Sequence, residues 1–408
     1  MSGCPARRPA VTPPTDAREG PLPRRFLFLL ATTGGGHRGA AQAVAEAMRA
    51  RYGEQAHVDV VDALAHTPWP FSRFGELYCK LLWGGGYAYA LGFCLLDGIW
   101  QAQAISCALQ PLVISAARAL VTAYPADLVV AFHPILVHIV SRALTATNGP
   151  PLVAVGTDLA IMHALYVDPA VRQYLVATDD ARAQLLRHGV DPARIEVVGL
   201  PTHSRFQAVV DEAPRAMRLQ LGLDPDRPLV MLIGGGVGFG PLEWVARTVA
   251  RAGLPAQVAI IAGHNQKLRD RLAGINWPVP VRVEGFRDDI HCWMRAADVL
   301  VTKAGPNTIA EALVVGLPLV LWGAIPVQET PNVGIVVDGG AGVWAPGPRR
   351  AARAVLQLLQ DRDARAQMGR RARALAYPQA AERVAVALWD AATCSRSPAP
   401  APAPRRSG

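Results

Sequence analysis

The sequence predicts an α/β protein made of two Rossmann-like domains that face one another across a cleft. Apolar runs of strand length alternate with amphipathic stretches along most of the chain, the rhythm of βαβ units and of a parallel sheet covered by helices. That rhythm begins twice, and each time the first strand runs into a triple glycine: FLFLLA (26–31) before Gly34-Gly35-Gly36, and PLVMLI (228–233) before Gly234-Gly235-Gly236. The chain's 408 residues exceed one ordinary core, and 51% hydrophobic residues is too many for disorder, so two domains are expected.

Residues 1–23 form a Pro-, Ala- and Arg-rich leader that cannot bury apolar surface and is expected to be disordered. Arg24-Arg25 before FLFLLA imitates a secretory signal. The apolar run is short, however, lies behind that leader and ends in glycines and His37 rather than a cleavage site, so a buried first strand is expected. Further strands are expected at HVDVVD (57–62), DLVVAF (127–132), LVAVGT (152–157), QYLVAT (173–178) and IEVVGLP (195–201), within an N-terminal domain spanning 24–222. A turn-rich bridge, Gly222 to Pro228, opens the second domain, 223–392. Its strands are PLVMLI, QVAIIAG (257–263), VRVEGF (281–286), DVLVTK (298–303) and LPLVLWG (317–323), and its final helix can pack back on the first domain. Residues 393–408, with SPAPAPAP, form a second disordered tail.

Between Leu81 and Ala117 there is a single charge, Asp97. The stretch approaches the length of a membrane span, but Gly84-Gly85-Gly86, Gly92, Gly98 and Pro111 interrupt it. Two readings stay open: an aromatic-rich face lying on a bilayer, or buried helices of the N-terminal domain. The net charge of +9, mostly from Arg, favours anionic partners such as nucleotides or an anionic membrane surface. The basic residues are dispersed and no nucleic-acid-binding motif occurs, so nucleic acid is not an expected partner. Six cysteines with no CxxC pair and no metal-ligand spacing suit a reducing cytoplasm.

The second glycine loop, Gly234-Gly235-Gly236-Val237-Gly238, lets backbone N–H groups crowd a ligand, and Pro241 opens a helix whose dipole points at it. This is a diphosphate cradle without the Lys-Ser/Thr of a P-loop or the spacing of a dinucleotide fingerprint. Gly285-Phe286 ends a later strand of the same domain. Lys303-Ala304-Gly305-Pro306-Asn307-Thr308 gives strand, turn and helix start; Thr308 can offer a hydroxyl to a phosphate, and Glu311 can take both hydroxyls of a ribose. Lys303 can neutralise phosphate or pair with Glu311. Gln328, Glu329 and Asn332 present amide and carboxylate groups suited to sugar hydroxyls.

KAGPNTIAEAL, GLPLVLWG and PVQETPNVGIVVDGGAGVW resemble the donor half of inverting GT-B glycosyltransferases that use UDP-sugars, the group containing the enzyme that adds N-acetylglucosamine to lipid I. In the N-terminal half, GGGHRGAA (34–41), HTPWPF (66–71), His133-Pro134, Thr157-Asp158-Leu159 with His163, and Gly199-Leu200-Pro201 resemble monogalactosyldiacylglycerol synthases in order and spacing. The resemblance covers about residues 25–390. It implies an inverting hexosyltransferase moving galactose from a UDP-hexose to the 3-hydroxyl of diacylglycerol. The enzyme would be peripheral on the cytoplasmic face of a membrane, in contact with anionic lipids. Glucosyl transfer to diacylglycerol and transfer to a polyprenyl-linked acceptor are the alternatives; HTPWPF argues against the second.

The donor residues so implied are Gly234, Gly235, Gly236, Gly238, Gly285, Phe286, Lys303, Gly305, Thr308, Glu311, Gln328, Glu329 and Asn332; the acceptor side has Gly36, Pro68, Trp69, Pro70, His133 and His163. Val237, Asn307 and Thr330-Pro331 depart from the family pattern, all of them around the sugar. Inversion needs a base for the attacking hydroxyl and stabilisation of the departing diphosphate. His37 resembles the family's proposed base, with a phosphate hydrogen bond or helix capping as its other readings; Asp158 is the competing base or an N-cap. Asp224-Pro225-Asp226 resembles the metal-binding DxD of another glycosyltransferase fold, but turn chemistry explains both aspartates. No metal or other cofactor is expected, the helix dipole and loop N–H groups taking its place.

Overall fold

The structure, a computed structural model, describes residues 23–31, 35–67, 73, 75, 86–236 and 240–394. The expected disordered leader (1–23, but for Pro23) and the tail beyond Cys394 lie outside the described residues. The first sheet contains β1 (Arg24–Leu30), β2 (Ala56–Asp62), β3 (Leu128–Ala131), β4 (Leu152–Val155), β5 (Val171–Val176) and β6 (Ile195–Val197), in the order β2-β1-β3-β4-β5-β6. The second contains β7 (Leu229–Ile233), β8 (Gln257–Ile261), β9 (Val281–Glu284), β10 (Val299–Lys303), β11 (Leu319–Gly323) and β12 (Gly342–Trp344), in the order β12-β11-β10-β7-β8-β9. Every pairing is parallel, and every strand expected from the sequence is present. Only β12 was not foreseen: three residues are too few to show a run or an alternation.

The continuous apolar runs are explained by helices on both faces. Along β1, Phe26, Phe28 and Leu30 pack toward helices Gly36–Tyr52 and Ala380–Cys394, while Leu27 and Leu29 pack toward helix Pro134–Ala146. Along β7, Met231 faces one core while Val230 and Leu232 face the other, against helices Leu242–Ala250 and Pro348–Gln360. Each such side chain contributes about 1.5–3 kcal/mol by leaving water.

Strand order reverses between β1 and β3 in the first sheet and between β7 and β10 in the second, and crevices beyond the strand ends at such reversals are where open α/β sheets bind ligands. The two crevices meet. A Cβ on Gly236, after β7, would stand 3.7 Å from the Gly35 Cα, after β1. Asn307, at the start of helix Pro306–Val315, donates from Nδ2 to the Gly36 carbonyl at 3.1 Å.

The chain passes between the sheets twice. After Pro201, helices Ser204–Ala208 and Pro214–Gln220 lie against the second sheet's helices. Arg218 fastens them by donating to the Ala296 carbonyl at 2.9 Å and pairing with Asp298 at 2.5 Å, which also accepts from the Leu229 amide. The return passage ends in helix Ala380–Cys394, whose Trp389 stacks on Tyr52 with 4.0 Å between centroids. The two passages touch: at Gly199, φ +93°, a Cβ would lie 2.3 Å from the Tyr377 Cβ, so only glycine fits.

The uncharged stretch after β2 divides into helices Tyr87–Leu96 and Ile99–Ala123. Val113, Ala117 and Leu120 are buried against helix Pro134–Ala146, whereas Tyr87, Leu91, Leu95 and Trp100 are exposed. The stretch is thus divided into a buried second half, as the helix-packing reading expects, and an exposed apolar first half. No helix among the described residues is long and apolar enough to cross a membrane.

Candidate active site

His37 is the second residue of helix Gly36–Tyr52, whose N-cap position belongs to Gly35, so the side chain does not cap the helix. Its Nδ1 lies 2.8 Å from the Phe132 carbonyl and 2.7 Å from Thr157 Oγ1. A carbonyl only accepts, so Nδ1 carries the proton and Nε2 keeps the lone pair. Burial lowers the pKa to about 4 against the opposing carbonyl bond, and the ring is neutral at physiological pH. His133 stands edge-on to it with 4.6 Å between centroids. The capping role falls to His133, whose Nδ1 accepts from the Ile135 amide at 3.3 Å ahead of Pro134 at the first helical position.

Asp158 follows Thr157 in the coil after β4 and caps no helix. Its Oδ1 accepts from Gln328 Nε2 at 3.3 Å, a bond between the two halves, and Gln328 Oε1 accepts from the Tyr89 hydroxyl at 2.9 Å. Burial raises the Asp158 carboxyl to about 7; the Gln328 bond opposes this, the Glu329 charge adds to it and Lys303 opposes it. Val327, just before Gln328, has φ +67°, a conformation that costs a β-branched residue about 1–3 kcal/mol and holds the turn presenting Gln328.

On the second half, Gly235 adopts φ +78° and the loop rests on Gly263, where a Cβ would come within 2.3 Å of the Gly236 carbonyl oxygen. The His264 amide donates to that same oxygen at 2.9 Å. The His264 ring stacks on Phe286, 4.1 Å between centroids and 13° from parallel, with Phe286 54% exposed. Gly285 lies directly behind, its ideal Cβ position 3.7 Å from the Gly263 carbonyl oxygen. The pair forms a flat aromatic rim of which the sequence showed only Phe286.

Lys303 does not pair with Glu311. Its ammonium is bound to Glu329, whose other oxygen accepts from the Ile325 amide at 2.9 Å; the fold brings β10 beside the 324–329 turn, while Glu311 lies a full turn up its helix. The Glu329 carboxylate is thus committed to holding Lys303 beside Gly305 and Gly235. Asn332 is fully buried and donates from Nδ2 to the Ala304 carbonyl at 3.0 Å; its Oδ1 has no partner among the described residues. Thr308 lies in the first turn after Gly305, and Glu311 is half-buried and raised to about 8 by burial, with Arg205 as the opposing charge.

His163 sits apart from the His37 cluster. Its Nδ1 accepts from the Leu165 amide at 3.0 Å and its Nε2 donates to the Phe93 carbonyl at 3.2 Å, tying helix Tyr87–Leu96 to the first sheet's coil. Gly238, Pro68, Trp69 and Pro70 lie outside the described residues. The DxD-like aspartates are turn residues: Asp224 Oδ1 accepts from the Asp226 and Arg227 amides, and Asp226 takes a bidentate bond from Arg215.

Two parallel six-stranded sheets with Gly35-Gly36 and Gly235-Gly236 opposed over a shared cleft, and a Gly-Pro helix start at Pro306 beside them, place the protein in the GT-B fold class. The structure superposes on MurG of Acinetobacter baumannii with a TM-score of 0.59 at 17% identity, covering 90% of this chain and 100% of that one. On Anabaena HepE in complex with UDP and glucose the TM-score is 0.55 at 17% identity, over 91% and 99% of the two chains. Residues 37–202 match the monogalactosyldiacylglycerol (MGDG) synthase family, and residues 229–333 match the glycosyltransferase family 28 C-terminal domain. The probable monogalactosyldiacylglycerol synthase 2, chloroplastic, of Oryza sativa subsp. japonica is 37% identical over 345 residues, 81% of this chain and 73% of the relative. The monogalactosyldiacylglycerol synthase, chloroplastic, of Spinacia oleracea is 33% identical over 358 residues, 85% and 68% of the respective chains. The chain belongs to the monogalactosyldiacylglycerol synthase family.

Proposed function

We propose that this glycosyltransferase transfers galactose from UDP-galactose to the 3-hydroxyl of diacylglycerol with inversion, while bound peripherally to the cytoplasmic face of a membrane. The observation that carries the mechanism is the tautomer of His37 set by the Phe132 carbonyl, which leaves Nε2 unprotonated on the residue directly after Gly35-Gly36, where the first half meets Gly236 and Asn307 of the second. The diphosphate lies against the Gly234–Gly236 loop and the start of helix Pro306–Val315, with Lys303 beside it. Uracil stacks at the His264–Phe286 rim, Glu311 takes the ribose hydroxyls, and the hexose lies toward Gln328 and Asp158. His37 Nε2 accepts the proton of the diacylglycerol hydroxyl as its oxygen attacks the anomeric carbon from the side opposite UDP. The bond from that carbon to the diphosphate oxygen breaks, and its electron pair leaves with UDP. The donor's negative charge beside the imidazole raises its basicity when the complex forms. Loop N–H groups, the helix dipole and Lys303 balance the departing charge, and no metal is needed. The net charge of +9 adds attraction to anionic lipids.

The test is the lipid made when the chain is expressed in a host lacking glycolipids, together with transfer by the purified protein from UDP-galactose and UDP-glucose in parallel. A β-linked monogalactosyldiacylglycerol is expected. A glucolipid, or transfer only to a polyprenyl-linked acceptor, overturns the reading.

A further inference from the structure

Helix Tyr87–Leu96 has two faces with different surroundings. Tyr87, Leu91 and Leu95, spaced one turn apart, form a stripe exposed by 75%, 63% and 61%, continued by Trp100 at 82%. The neighbouring charge, Asp97, is turned inward, where it accepts from the Ala164 amide at 2.8 Å and lies 3.5 Å from His188 Nε2. A stripe of this kind, with no outward charge from Tyr87 to Trp100, fits the uncharged boundary layer of a bilayer better than a protein surface with a polar rim. The other face points to the cleft: Phe93 is held by His163, and the Tyr89 hydroxyl donates to Gln328, which in turn donates to Asp158.

We propose that Tyr89 is a positioning residue through which a bilayer seated on the Tyr87–Leu91–Leu95–Trp100 stripe orients the Gln328 amide at the sugar end of the donor site. The inference rests on the reading of Gln328 as a sugar contact. Seating the stripe restrains the helix, the helix restrains the Tyr89 hydroxyl, and that hydroxyl holds Gln328 Oε1 so that the amide Nε2 faces Asp158 and the hexose. The nucleotide end, at His264, Phe286 and Glu311, lies in the second half and makes no bond to this helix among the described residues. UDP itself should therefore be insensitive to the bilayer, and the UDP-hexose sensitive.

The test measures binding of UDP and of UDP-galactose by calorimetry, with and without phosphatidylcholine vesicles that contain no diacylglycerol. Wild type should bind UDP-galactose about three- to tenfold more tightly with vesicles, as expected for one well-ordered neutral hydrogen bond, and UDP equally in both conditions. Tyr89→Phe, which keeps the ring packed on Phe93, should bind UDP-galactose about three- to tenfold more weakly and show no vesicle response, with UDP binding unchanged. Leu91→Asp/Leu95→Asp should fail to sediment with the vesicles and lose the response while binding UDP normally. If vesicles leave wild-type UDP-galactose affinity unchanged, or if Tyr89→Phe keeps the response, the coupling is refuted. No acceptor is present, so the outcome is independent of whether diacylglycerol is the lipid glycosylated. Should wild type bind only UDP-glucose, the donor assignment fails instead and the same comparison is made with that sugar.

Discussion

His37 and Asp158 are the two candidate bases in the cleft, and their surroundings give them different signatures. His37, lowered to about 4, is already neutral across the range in which the enzyme would be assayed; Asp158, raised to about 7, changes charge in the middle of it. With His37 as the base, kcat/KM should vary by less than about tenfold between pH 6 and 8, because the groups that change charge there, Asp158 and Glu311, are not the proton acceptor. His37→Ala should then lose roughly 10²–10⁴ in kcat, the usual contribution of a general base, with donor affinity little altered. Asp158→Asn should flatten the remaining inflection near pH 7 and keep the rate within about tenfold of wild type. The assay is steady-state transfer from labelled UDP-galactose to diacylglycerol in vesicles across that pH range for all three proteins. A wild-type profile falling about tenfold per pH unit below 7, abolished by Asp158→Asn in a protein that has also lost 10²–10⁴, would refute the assignment and make the aspartate the base.

Glu311→Ala should weaken UDP binding roughly tenfold or more at about pH 9, where the carboxyl raised to about 8 is ionised and losing a charged hydrogen-bond partner costs about 1.5–3 kcal/mol; unchanged affinity by calorimetry would remove Glu311 from the ribose. Stability of the unliganded protein should fall as pH rises above about 7, where the histidines that burial lowers from 6.5 no longer contribute an opposing rise. Asp158 and Glu311 stay protonated in the folded state up to about 7 and 8, whereas the unfolded chain releases those protons near 4, so their contribution is complete at low pH and is lost through pH 7–8. A melting temperature that rises from about pH 7 to 8.5, or a Glu311→Gln variant with the wild-type slope over that range, would contradict this. EDTA should leave the transfer rate intact; loss of activity that Mg²⁺ restores would replace the dipole account with a metal.

Much of this was legible from composition and order. Buried parallel strands are uninterrupted apolar runs, and a glycine triplet after such a run announces a backbone that must approach something closely. The family resemblance assigns His133 to the acceptor side, although the pair His133-Pro134 carries a sign of the helix capping found in the structure, a side-chain acceptor ahead of a proline at the first helical position. Other residues gave no sign. Tyr89, His264 and Arg205 come from elements far from the motifs they join, and nothing in their neighbourhoods distinguishes them from ordinary helix or loop residues. The partner of Lys303 was misjudged for a related reason: sequence spacing offered the nearby Glu311, while the tertiary fold delivers Glu329 from 26 residues away. The division of the uncharged stretch into a packed and an exposed half is likewise set by where helix Pro134–Ala146 happens to lie.

The contact between the two passages at Gly199 and Tyr377 bears on how the protein can be taken apart and how it can move. The first lobe is not a contiguous piece of chain, because it is closed by helix Ala380–Cys394 at the far end of the sequence. A fragment stopping before Ala380 would leave Phe26, Tyr52 and their neighbours without a cover, so exchange of donor lobes between related enzymes has to retain that helix with the first lobe. The side-by-side passages also leave one line about which the lobes can pivot without parting the chain. Replacement of Gly199 by any bulkier residue would push the two passages apart at Tyr377 and so disturb how the lobes, which both supply residues to the active site, face one another.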